Sequence, residues 1–140
     1  MNTFTPEVRT FLLNGTRTAK VATVRADGRS HIAPVWFVLD GNSIVFTTWH
    51  TTVKANNIRR DPRVCICVDD ETHPYAFALI EGTAEMSTDP DALLHRATQI
   101  AGRYMGEALA ESYGKRNGVA GELLIRVTPT KILFEKNLAD

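Results

Sequence analysis

Two tight turns between β-rich runs constrain this chain more than any other feature. Thr18 to Arg25 is rich in β-branched residues, and Ala26-Asp27-Gly28-Arg29 follows as a turn in which Gly28 is free to take positive φ. A long, mostly apolar run from His31 to Leu39 comes next. A second turn at Asp40-Gly41-Asn42 leads into a third run, Ser43 to Thr48. Strand, short turn, strand, short turn, strand predicts an antiparallel meander.

The rest of the chain extends that sheet. Val64 to Val68 reads as a strand, Asp69 to Pro74 as a polar loop, and Ala76 to Met86 as a long strand. In that long strand Phe77 and Leu79 share a face, and Gly82 marks a bulge or bend. Leu123, Ile125 and Val127 alternate with polar or outward positions as a half-buried strand should, and Lys131 to Glu135 reads as the last strand. Thr5-Pro6-Glu7 starts a helix that Asn14-Gly15 ends, with Val8, Phe11 and Leu12 on one face. Thr51 to Asp61 predicts a short helix stopped by Pro62. Asp89-Pro90 opens another, with an apolar stripe of Leu93, Ala97, Ile100, Ala101 and Tyr104. Gly106 allows a break before a further helical segment, Glu107 to Lys115. One domain over residues 1–140 is the expectation, mainly β with flanking helices, closed into a small barrel.

Composition narrows the function classes. The 16 Lys and Arg balance the 16 Asp and Glu, so nothing global favours a nucleic-acid or membrane-surface partner. Cys65 and Cys67 lie in an apolar run without the two-residue spacer of zinc or redox motifs, and read as small buried hydrophobes in a reduced compartment. His31, His50, His73 and His95 lack ligand spacing, so no metal site is expected. No signal-like segment or membrane-length apolar run is present, and the expected location is the cytoplasm.

The stretch Phe46 to Lys54 carries the chemical interest. A strand ends in hydroxyls and a helix begins at once, and a helix start presents unpaired N–H groups and a positive dipole end to an anion. Thr51 or Thr52 can donate a hydroxyl to a phosphate, and Lys54 supplies a full charge, with Arg59 and Arg60 further along. The competing reading is that one of these threonines caps the helix and Lys54 is solvated. Pro34 cannot donate to a sheet ladder, which leaves backbone groups near it free for the edge of a heteroaromatic ring, with Trp36 or Phe37 as apolar wall. It also fits an edge strand guarded against aggregation.

Several segments in order resemble one family. They are Ala22 to Arg29, Pro34-Val35-Trp36-Phe37, Lys54 with Ile58 to Arg63, Val68-Asp69-Asp70, Tyr75-Ala76-Phe77 and Glu81-Gly82. Together they resemble the split-barrel flavin-binding superfamily related to pyridoxamine 5'-phosphate oxidase, and within it the branch that uses the deazaflavin coenzyme F420. The resemblance implies a six-stranded antiparallel split β-barrel and a homodimer with two cofactor sites at the subunit interface. It implies ring contacts from Pro34, Val35, Trp36 and Phe37, and phosphate contacts from Thr47, Thr48 and Lys54, with Thr51 and Thr52 beside them. Tyr75 and Phe77 are candidates for what a partner subunit adds. Arg59, Arg60 and Arg63 would suit the carboxylates of the coenzyme's tail. The implied activity is hydride transfer between F420 and a small conjugated substrate, with the cofactor carrying the chemistry and no catalytic side chain named. Flavin mononucleotide (FMN) in the same fold, or a carrier without turnover, are the rival readings. Two departures lighten the phosphate grip: FMN-dependent relatives place arginine directly before the lysine, where this chain has Val53, and many place another soon after, where it has Ala55, Asn56 and Asn57.

Overall fold

The computed structural model describes residues 2–140. Seven strands form one sheet: β1 (Ala19–Val24), β2 (Ser30–Val35), β3 (Val38–Asp40), β4 (Ser43–Trp49), β5 (Arg63–Asp70), β6 (Ala76–Ser87) and β7 (Glu122–Lys136). Their order is β2-β1-β5-β6-β7-β4-β3, and every neighbouring pair is antiparallel. The two edge strands, β2 and β3, are consecutive in the chain and joined only by Trp36 and Phe37. Val21, Val35, Ile44, Ile66, Ile80 and Ile125 nevertheless meet in one buried cluster. The sheet therefore curls into a barrel whose last seam is covalent rather than hydrogen-bonded, a split barrel.

That seam corrects the expectation of one strand from His31 to Leu39. The strand breaks at Trp36-Phe37 because a distant helix takes over the backbone bonds there. The Phe37 N–H donates to the Tyr104 hydroxyl (3.2 Å), and its carbonyl accepts from Arg103 (2.8 Å). Arg103 also donates to the Leu12 carbonyl (2.8 Å) and the Gly15 carbonyl (3.1 Å), tying the end of the first helix to the seam.

The two strands expected around Pro129 are in fact the single strand β7. With β2 and β3 separated at Trp36-Phe37, the sheet has seven strands, one more than the six that the resemblance implies. Pro129 sits opposite Gly82, where the β6–β7 register shifts between Glu81 and Gly82. A bulge tolerates a residue without an N–H. Gly82 itself is dictated by close approach: a Cβ there would lie 2.6 Å from the Thr128 carbonyl oxygen. Phe77 and Leu79 do share a face of β6, but the buried face is that of Ala78, Ile80, Gly82 and Ala84.

Four helices flank the barrel: α1 (Pro6–Leu13), α2 (Val53–Arg60), α3 (Pro90–Met105) and α4 (Glu107–Asn117). From α1, Val8 and Leu12 enter the barrel core, as do Ala55 and Ile58 from α2. Leu93 and Ile100 of α3 pack on Val38, Val45 and Leu124, covering the outer face of β3, β4 and β7. No helix among the described residues is long and apolar enough to cross a membrane.

Candidate functional site

A cleft of about 360 Å³ opens beside the seam, lined by Thr18, Pro34, Val35, Trp36, Thr47, Lys54, Ala97, Ile100 and Asn117. Three levels of structure converge on it. The edge strand β2 has only β1 as a partner, so its other edge is unpaired. Helix α2 starts just after β4 and carries Lys54 in its first turn. The α3–α4 hairpin supplies the apolar side through Ala97 and Ile100.

Trp36 is held at the mouth by stacking on Tyr104, with ring centroids 5.0 Å apart and planes 2° from parallel. The Tyr104 hydroxyl accepts from Phe37 and donates to the Arg17 carbonyl (2.7 Å), which fixes the stack. Offset aromatic contacts of this kind contribute about 1 kcal/mol beyond area burial.

Lys54 is partly buried, and among the described residues it closes no hydrogen bond or ion pair. Burial pushes its ammonium below the ordinary lysine range, with Glu122 acting the other way. Lys54 thus carries a partly desolvated charge that no protein acceptor among the described residues meets. Thr47 and Thr18 are the threonines that share the cleft with it.

Sequence reasoning placed several residues here that the structure places elsewhere. Thr52 is the N-cap of α2: its hydroxyl accepts from the Ala55 N–H (3.2 Å) and lies 2.8 Å from the Thr48 hydroxyl. Thr48 is buried, and Thr51 is exposed outside the cleft. Phe37 is wholly buried in the core with its backbone already bonded, so it is not a free wall. Arg60 bonds the Val24 carbonyl and the Asn57 side chain, in a shallow groove with Arg25 and Asp27. Arg59 bonds Asn56 and lines a different groove, with His50, Leu93 and Glu122. Arg63 pairs with Asp61 at 2.8 Å. Tyr75 and Phe77 do not line this chain's own cleft.

Thr18, Ala97, Ile100 and Asn117 were missed. Their approach depends on α3 and α4 folding back over β4, which no local pattern announces. Among the described residues, no group of three or more His, Cys, Asp or Glu could hold a metal ion.

A sequence model of the pyridoxamine 5'-phosphate oxidase family matches residues 4–136. Among solved structures, the chain is similar to a conserved hypothetical protein of Mycobacterium tuberculosis, at 24% identity and a TM-score of 0.82, covering 97% of this chain and 88% of that one. It is similar to an F420 reductase at 28% identity and a TM-score of 0.72, covering 92% and 98%. A heme storage protein of Vibrio cholerae shares the fold at 21% identity and a TM-score of 0.72, covering 94% of each chain.

Proposed function

The chain belongs to the pyridoxamine 5'-phosphate oxidase family, and from that premise we propose that it is an oxidoreductase that binds coenzyme F420 in the Lys54 cleft and passes a hydride to a small conjugated organic substrate. The observation that carries this reading is Lys54: desolvated, unpaired and facing a cleft beside an open strand edge. The residues present fit the group. Lys54 and Thr47 hold the phosphate, the free backbone edge at Pro34, Val35 and Trp36 meets the ring, and Ala97 and Ile100 exclude water. The deazaflavin supplies the hydride when bound, and the protein contributes binding and orientation.

Two points favour F420 over FMN. One is the likeness to an F420 reductase at 28% identity over nearly the whole of both chains. The other is the light phosphate grip. With Val53 in the arginine position and Thr48, Thr51 and Thr52 outside the cleft, Lys54 and Thr47 are what remain of the implied phosphate contacts. A grip that light suits an exchangeable cofactor rather than a permanently held one. Fluorescence titration with F420 and with FMN tests this directly, and clearly tighter FMN binding overturns it. Consumption of reduced F420 on adding an enone or quinone is expected; binding without consumption leaves the protein a carrier.

We further propose a homodimer through the outer face of β1, β2, β5, β6 and the C-terminal half of β7, which no helix covers. Ile32 on that face is 64% exposed and Leu133 40% exposed, with Ala22, Cys65, Cys67 and Leu79 between them by register. The ion pairs Lys20–Asp69 (2.7 Å) and Lys131–Glu81 (3.9 Å) flank this apolar centre as an interface rim would. Sedimentation should give a dimer for the wild type and a monomer for Leu79→Arg; a monomeric wild type ends the dimer reading.

A further inference from the structure

We propose that Glu122 makes this site select a singly charged phosphate diester over a doubly charged phosphate monoester. The inference rests on the reading that Lys54 and Thr47 grip a phosphate. Coenzyme F420 carries its phosphate as a diester and FMN carries it as a monoester, so Glu122 becomes a specificity-determining residue between them.

The geometry begins with the β4–β7 register. Trp49 faces Glu122 and Thr47 faces Leu124, so Thr47 and Glu122 are diagonal neighbours on one face of the ladder. The Thr47 hydroxyl and the Lys54 ammonium are both near enough to the Glu122 carboxylate to favour its ionised form. Thr47 and Lys54 line the cofactor cleft, while Glu122 lines the adjoining groove with His50, Arg59 and Leu123. The acid thus stands in the wall between two cavities, behind both phosphate ligands. Burial pushes its carboxyl up, and Thr47 and Lys54 pull it down.

Two consequences follow. A phosphate at Lys54 must share the single Thr47 proton with Glu122, so the hydroxyl serves one acceptor at a time. The ionised carboxylate also repels the phosphate in proportion to its charge. An added unit of negative charge at a partly buried site of this kind lowers affinity by about threefold. A dianion bears that cost twice and a monoanion once. Where FMN-binding relatives place extra arginine before the lysine, this chain instead has an uncharged Val53 and a carboxylate close by.

The test is a set of dissociation constants for F420 and FMN, measured by fluorescence at pH 8, well above the ordinary carboxyl range. Glu122→Gln should tighten FMN by about tenfold and F420 by only about threefold, moving the ratio toward FMN. Glu122→Asp, which keeps the charge, should hold the wild-type ratio. A Glu122→Gln variant that shifts both ligands by one factor, or neither, overturns the proposal. Lys54→Ala separates this from the parent reading: if it leaves both affinities unchanged, the phosphate site lies elsewhere and both ideas fall. A second measurement needs no variant. On the wild type, methyl phenyl phosphate should compete with F420 better than phenyl phosphate does, and the reverse order overturns the selection.

Discussion

Helix α2 carries cations at both ends, and they differ in what they already hold. Arg59, Arg60 and Arg63 lie at or just beyond its C-terminus, where the macrodipole favours positive charge, and each is bonded within the chain. Lys54 sits in the first turn, at the positive end, partly buried and without a bonded partner. Its position is unfavourable for the helix on two counts, dipole and desolvation. Crowding in sequence therefore says little about which cation binds a ligand. The informative cation is the one whose placement costs the fold something that only a ligand returns.

The sharpest way to break that contrast is Lys54→Ala. It should weaken cofactor binding by about 1–3 kcal/mol, the range of a charge-assisted contact. The same change should leave the melting temperature unchanged or raise it, because it removes a desolvated charge from the wrong end of a dipole. Loss of stability with unaltered affinity would make Lys54 a structural residue after all. Arg60→Ala should do the opposite at smaller scale. It removes bonds to the Val24 carbonyl and to Asn57, so urea denaturation should register a loss of about 1 kcal/mol. Cofactor affinity should not move, and a clear loss of affinity would restore Arg60 to the site.

The same contrast explains what the sequence made legible. The cap at Thr5, the turns at Gly28 and Gly41, both with positive φ, and the bulge at Gly82 depend on neighbours in the chain or on one facing strand. Lys54 beside Thr47 was readable for the same reason: a strand end and a helix start lie a few residues apart. What escaped was set by long-range contact. The break at Phe37 needs Arg103 and Tyr104, more than sixty residues away. Glu122 behind Thr47 needs the β4–β7 register, and Asn117 needs the α3–α4 hairpin to fold back. Thr52 was ambiguous in sequence because a capping hydroxyl and a phosphate-binding hydroxyl occupy the same position. The Ala55 N–H resolves it as a cap.

The mildest member of the comparison is the pair just past the helix. Arg63 bonds Asp61 through both its side chain and its backbone N–H, and the Asp61 carboxyl is held down to about 2 against an ordinary 3.8, chiefly by the side-chain bonds. A carboxyl with a depressed folded value stabilises the fold above its unfolded pKa and loses that contribution as pH falls through the folded one. The window is therefore between about pH 4 and pH 2. Arg63 is largely in solvent and Asp61 is half-buried beside it, and screening of so exposed a partner should keep the effect on neutral-pH stability too small to detect. NMR titration of the Asp61 carboxyl can still resolve it. Arg63→Ala should raise the Asp61 titration toward the ordinary value without reaching it, because the backbone N–H at position 63 still donates. Cofactor affinity should stay at the wild-type level throughout. If Arg63→Ala instead weakened the cofactor while leaving Asp61 unmoved, the pairing would be idle and the C-terminal arginines would have to be read as ligand contacts.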